Sequence, residues 1–301
     1  MSRIPKVLHF IFGMASDFGG KPWGLAHHVC LKSAVERIRP RDAFLYSEFE
    51  PTGPWWELSR KLVTLERVEA PREVFGRPIL HVAQRAGVLR LKKLIERGGI
   101  YLDTDVLVHR DFDDLLNNSV VLGQEGIDGG IGLADAVILA EPDAPFLRRW
   151  LDEYRWFRSK GRDEFWSEHA VIVPRRLANE HPQELAILPH TAFFWPLWSE
   201  EHLAWIFESR KPIPIDNAYC THLWESHSWH YFEGLTLQEV RSIPTNFHCW
   251  ARSLVSDLPS DYGAVSPIAR IERRWRRTRR KLGRVKRRLW RRWLRVQTHV
   301  R

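Results

Sequence analysis

Two hydrophobic periods alternate along the chain. Residues 6–13, KVLHFIFG, form an unbroken apolar run closed by glycine and predict a first buried strand. Residues 42–49, DAFLYSEF, predict a second, after a helical segment over 27–39, and the following EPTGPWWE predicts a loop. In HVAQRAGVLRLKKLIER, residues 81–97, apolar side chains fall at 82, 86, 89, 91, 94 and 95, close to a helical period. The Gly98–Gly99 pair that follows is the place for a left-handed C-terminal cap. IYLD and VLVH then predict short strands on either side of an acidic pair, and DAVILAEP, residues 135–142, predicts another strand that ends before Pro142. PFLRRWLDEYRWFR, residues 145–158, opens with proline and places apolar residues at 146, 150, 154 and 157, which predicts a helix. Strand alternating with helix, without internal repeats, predicts an α/β sandwich.

Composition changes this picture in two ways. Fifteen Trp and fifteen Phe are an unusual number; aromatics at that density are mostly core but also make platforms for flat ligand faces. The formal charge of +9 conceals an asymmetry. Residues 269–301 hold 16 Lys and Arg against the single acid Glu272, whereas residues 1–268 hold 30 basic and 36 acidic side chains. A mildly acidic body, residues 1–265, is therefore expected to carry a basic tail, residues 266–301. Cys30, Cys220 and Cys249 are odd in number and widely spaced, which fits neither a disulfide framework nor a zinc pattern. The apolar N-terminal run is too short for a signal peptide, and no stretch approaches the roughly 20 apolar residues of a spanning helix. The expectation is a cytoplasmic protein whose membrane contact, if any, is peripheral.

The chemistry sits in GGIYLDTDVLVHR, residues 98–110. On a strand, Asp103 and Asp105 share one face, roughly 6.6 Å apart along the chain. Carboxylates that close repel each other, which raises a pKa or calls for a cation. A hard divalent ion such as Mg²⁺ or Mn²⁺ takes oxygen ligands and shares them with phosphate, so the pair suggests a metal bridging the protein to a diphosphate. A bare DxD is short enough to be a chance surface pair; here a helix bearing Arg90, a double glycine and IYLD all converge on it.

LRLKKLIERGGIYLDTDVLV resembles the core block of the glycosyltransferases with a DxD-containing sugar-binding region. That family includes the initiating mannosyltransferases of yeast, α-1,4-galactosyltransferases, bacterial capsular polysaccharide enzymes and, more distantly, clostridial glucosylating toxins. IPKVLHFIFG, DAVILAEPDAPFLRRWLDEYRWF and THLWES are similar to its other blocks, so the resemblance spans roughly residues 4–250. It implies a GT-A fold, a Rossmann-like sheet between helices with the nucleotide at the strand carboxyl ends. It implies Asp103 and Asp105 as catalytic metal ligands with His222 completing the site, and Mn²⁺ or Mg²⁺ as the ion. Arg90, Tyr101, Phe12 and Trp224 are implied as donor-binding, and Asp135, where relatives often carry Asn, as the group holding donor-sugar hydroxyls. Gly87 is a departure, because many relatives have Asp there. The implied activity is retaining transfer from a UDP- or GDP-sugar to a glycan or lipid-linked acceptor, in bacterial surface polysaccharide or glycolipid synthesis. Acceptor choice is expected from loops around Trp195, Trp198 and His169.

The tail repeats apolar residues at 271, 275, 282, 285, 289, 293 and 296 between arginines, which predicts a basic amphipathic helix. Its tryptophans favour an anionic bilayer surface, which places the protein at the inner face of the cell membrane. Specific nucleic-acid binding is not expected, since it rests on the tail alone and leaves residues 1–268 unexplained. A catalytically silent sugar-nucleotide binder is the serious rival, because of Gly87. A glycosidase would instead need two carboxylates facing each other across the bond.

Overall fold

The computed structural model describes residues 2–264; the tail predicted over 266–301 lies outside the described residues. The central sheet has seven strands: β1 (Val7–Ile11), β2 (Asp42–Ser47), β3 (Thr64–Arg67), β4 (Gly99–Leu102), β5 (Val120–Glu125), β6 (Gly132–Ala140) and β7 (Ala186–Leu188). Their spatial order is β7-β5-β6-β4-β1-β2-β3, and β6 runs against both of its neighbours. The other pairings are parallel. A mixed, largely parallel sheet between helices is the α/β architecture that the alternation of periods predicts.

Side chains alternate between two hydrophobic layers, as the pleat requires. Leu8 and Phe10 of β1, Ile100 and Leu102 of β4, and Val137 and Leu139 of β6 face one layer, built on helix α1 (Leu25–Ile38). Ile11, Tyr101, Ile138 and Ala140 face the other, built on α2 (Val82–Arg97) and α3 (Pro145–Glu153). The central strands β1, β4 and β6 are buried on both faces, which is why they read as continuous apolar runs rather than alternating ones. Each fully buried Leu, Ile, Val or Phe contributes about 1.5–3 kcal/mol.

Three features differ from expectation. The EPTGPWWE segment, expected as a loop, turns into a short helix over Pro54–Ser59. The α2 helix ends at Gly98 with φ of 62° but an extended ψ of −172°, so the cap is not the left-handed well, although Gly98 N–H still closes on Leu94 O at 2.8 Å. Gly99 follows at φ 116°, and a Cβ there would lie 2.5 Å from Val7 O, so the double glycine lets β4 dock flush against β1. The helix predicted over 145–158 stops at Glu153 and continues as a tight turn, Tyr154–Trp156. Strands β3, β5 and β7 escaped the pattern because they are short or interrupted by glycine. No helix among the described residues is long and apolar enough to cross a membrane.

Candidate active site

Strand β4 ends at Leu102, and the acidic pair lies on the turn that follows rather than on the strand itself. Asp103 N–H still bonds Ala136 O at 2.9 Å, and Val106 N–H closes the turn on Asp103 O at 3.0 Å. The chain then enters Val106–Val108, which pairs antiparallel with Cys220–His222 and sets His222 directly opposite Val106. The carboxylates therefore converge through a turn and a cross-strand neighbour, not through the strand pleat. Oxygens of Asp103 and Asp105 and a ring nitrogen of His222 all lie within 4.8 Å of one another.

Two kinds of positive charge meet these carboxylates. Arg90, 4% exposed, projects from α2 and places Nη1 3.2 Å from Asp103 Oδ1 and 3.3 Å from Asp135 Oδ2. It also donates to Asp135 O at 2.5 Å, and its guanidinium lies 4.4 Å from the Tyr101 ring centroid. Tyr101 donates its hydroxyl proton to Asp103 Oδ1 at 2.5 Å. On the other side His222 Nε2 stands 3.2 Å from Asp105 Oδ2, which also accepts the Glu225 N–H at 2.6 Å.

The electrostatics follow from these contacts. Burial raises the pKa of Asp103 and outweighs the Arg90 charge, and repulsion from Asp105 adds to it. Burial pushes Asp105 upward too, but His222 and the Glu225 N–H hold it below the usual carboxylate range. Burial drives the Asp135 pKa up against Arg90. Burial disfavours the His222 cation, yet Asp105 reverses the sign and raises its pKa. His222 Nδ1 is buried without a hydrogen-bond partner.

A second layer ties the turn to the rest of the fold. Glu225 opens helix α4 (Glu225–Phe232) and binds Lys21 Nζ at 3.1 Å. Its other oxygen accepts from His27 Nε2 at 2.6 Å, and since Gly24 N–H donates to His27 Nδ1, the proton of that imidazole sits on Nε2. Nothing local in the sequence announces His27, 198 residues from its partner; Glu225 falls inside THLWES, three residues after His222, and is the one that the motif exposes.

The structure thus gathers Asp103, Asp105, His222, Arg90, Tyr101 and Asp135 at one end of the sheet. Trp224 lies beside His222 with ring centroids 4.1 Å apart and the planes tilted by 44°, but its indole N–H is spent on Pro196 O at 2.9 Å. Phe12 lies farther back, half-buried among Phe18, Trp23 and His27. Trp198 is 41% exposed, stacks on His227 and donates to Glu125, whereas His169, expected in an acceptor loop, is buried against Tyr154.

An acidic turn with an imidazole and a buried guanidinium is chemically suited to holding a divalent cation and the oxygens of a phosphate. Residues 57–122 match a family model described as the glycosyltransferase sugar-binding region containing the DXD motif. The chain is 33% identical over 265 residues to glucan organizing enzyme 1 of Cryptococcus neoformans, covering 84% of this chain and 71% of that protein. It is 28% identical over 172 residues to an uncharacterized protein of Arabidopsis thaliana, covering 53% of this chain and 26% of that one. Among solved structures it is similar to mouse xyloside xylosyltransferase 1, with 14% identity, a TM-score of 0.45, and 74% and 99% of the two chains covered. It is also similar to the glycosyltransferase GlyE of Streptococcus pneumoniae, with 12% identity, a TM-score of 0.44, and 85% and 65% covered.

Proposed function

This chain belongs to the glycosyltransferases with a DXD-containing sugar-binding region, and on that premise we propose a metal-dependent, retaining transfer of a sugar from a UDP- or GDP-sugar to a glycan or lipid-linked acceptor. The observation that carries this reading is the convergence of Asp103, Asp105 and His222 within 4.8 Å, beside Arg90. The donor set, two carboxylates and an imidazole that retains a buried nitrogen without a partner, fits a divalent cation. Two carboxylates and an imidazole suit Mn²⁺ better than Mg²⁺, which prefers an all-oxygen shell. When bound, the ion supplies positive charge against a departing diphosphate.

The chain's own residues divide the remaining work. Arg90 holds Asp103 and Asp135 in place and presents a permanent cation at the edge of the donor site. Tyr101 fixes the Asp103 rotamer from below. Glu225, held by Lys21 and His27, keeps its N–H on Asp105 and so orients that carboxylate. Asp135 and Trp224 serve the donor at the site's rim, and Phe12 backs the base side. Retention of anomeric configuration is carried over from the family.

Polysaccharide or glycolipid synthesis is the setting we propose. The name of the fungal relative refers to glucan, which supports the polysaccharide branch; neither curated relative is bacterial. We place the enzyme at the inner face of a membrane through residues 269–301, whose 16 basic side chains and interspersed tryptophans support an anionic surface as partner. Flotation with anionic and neutral liposomes checks this, and equal recovery of full-length and tail-deleted protein ends it. Gly87 favours one second reading, a silent sugar-nucleotide binder.

The decisive experiment is a panel of UDP- and GDP-sugars with Mn²⁺, following nucleoside diphosphate release. Release with one donor, abolished in Asp105→Ala and by EDTA, is the expected result. Undiminished release in EDTA overturns metal dependence, and nucleotide binding without any release favours the silent binder.

A further inference from the structure

Gly87 stands on α2 one turn before Arg90 and faces inward. A Cβ built there would lie 3.2 Å from the Tyr154 hydroxyl and 3.8 Å from Asp135 Oδ2. Two polar groups from different elements thus point at one spot, Tyr154 from the turn after α3 and Asp135 from β6. Tyr154 is 3% exposed, its ring packed on Phe157 at 5.7 Å and on His169 at 4.7 Å. Its hydroxyl makes no hydrogen bond among the described residues. Burial raises its pKa and the neighbouring Asp135 carboxylate raises it further, so the phenol keeps its proton. The hydroxyl is not one of the fully buried unpartnered polar atoms, so its tip is open to the site and free to bond a ligand there.

We infer that Tyr154 is a donor-specificity residue, whose hydroxyl, with Asp135, binds one hydroxyl of the transferred sugar in the space over Gly87. The inference rests on the donor reading above and adds to it the group that reads the sugar. The pairing is complementary. A carboxylate only accepts, a phenol donates, and a sugar hydroxyl does both, so one hydroxyl satisfies Asp135 with its proton and Tyr154 with its lone pair. Arg90, on the far side of Asp135, keeps that carboxylate charged and oriented. A site built in this way discriminates against a donor that lacks the hydroxyl or carries it in the opposite configuration, because the phenol and the carboxylate then lose a hydrogen-bond partner while water is displaced from them. A side chain at position 87 would occupy this space, which gives the glycine a positive role.

The test uses the full chain with Mn²⁺ and measures binding of the nucleoside diphosphate and of the matching nucleotide-sugar by calorimetry. Tyr154→Phe is expected to bind the diphosphate like wild type while losing about tenfold in affinity for the nucleotide-sugar. Gly87→Ala, which adds only a methyl to a helix and crowds the phenol, is expected to shift the same ratio in the same direction. A donor deoxygenated at the recognised position is expected to bind wild type and Tyr154→Phe equally. An unchanged ratio in both variants overturns the inference, as does an equal loss for diphosphate and nucleotide-sugar, which marks a structural role. If wild type binds neither compound, the donor reading itself fails and takes this inference with it.

Discussion

The two sides of the acidic centre solve the same problem differently. On one side, Asp103 and Asp135 share Arg90, a cation that the fold supplies permanently and buries at 4% exposure. On the other, Asp105 has only the His222 imidazole and one backbone N–H, and His222 retains a buried, unpartnered nitrogen. The first side is complete as folded. The second, on the reading proposed above, is where a cation would be held, because an imidazole can give up its proton to a metal and a guanidinium cannot. The contrast teaches where in this site the proposed metal would sit: beside the histidine, with arginine holding the neighbouring carboxylates in register.

The comparison can be broken most forcefully at Arg90. Removing one partner of a buried ion pair costs about 3–5 kcal/mol, so Arg90→Ala is expected to lose that much stability in urea unfolding at pH 7. A loss under 1 kcal/mol would mean the arginine is dispensable to the fold, and the contrast between the two sides would dissolve. His222→Ala attacks the other side. It is expected to weaken Mn²⁺ binding by more than about tenfold, seen by calorimetry, while Arg90→Lys shifts it much less. Comparable effects of the two would show that no side is specialised.

A further effect, and the one that sharpens the contrast, comes from pH. His9 and His28 are buried, and burial lowers both pKa values to about 4, with Arg97 and Lys93 assisting at His9 and Lys32 at His28 against opposing pulls from Glu66 and Asp257. His9 donates from Nε2 to Gly98 O at 2.7 Å and accepts the Tyr46 hydroxyl at Nδ1, a fully neutral arrangement. Their folded-state values lie below the unfolded value of 6.5, so the stability they hold is present above pH 6.5 and is lost as pH falls toward 4. Each is expected to cost up to about 1.4 kcal/mol per pH unit across that window, read as a falling urea midpoint between pH 7 and 5. His222, raised instead by Asp105, contributes with the opposite sign. Replacing His9 with Gln should flatten the slope; an unchanged slope would remove His9 from the account.

Much of the site was legible because its residues are clustered in the chain. Gly98 to Asp105 lie within eight positions, and Arg90 sits two turns upstream on the same helix. His222 was reachable only through the resemblance of THLWES to a family block, since fourteen histidines offer no local reason to prefer it. Tyr154 read as one more apolar position on the stripe of a helix, and the structure places it just past that helix's end, where the turn swings its hydroxyl toward Gly87. His27 read only as the start of a helical segment, and in the structure it donates to Glu225.

Sequence alone determined the alternation of strand and helix, the stop at the double glycine, the acidic pair with its family, and the separation of an acidic body from a basic tail. These depend on periods and spacings of a few residues, which local sterics and burial translate directly into structure. Only tertiary structure decided that the pair lies on a turn, that Arg90 serves Asp103 and Asp135 while His222 serves Asp105, and that Tyr154 faces Gly87. Each of those contacts joins segments brought together by strand order and helix packing, and a hydrogen bond or ion pair depends on distances of a few ångströms that the intervening chain leaves unspecified.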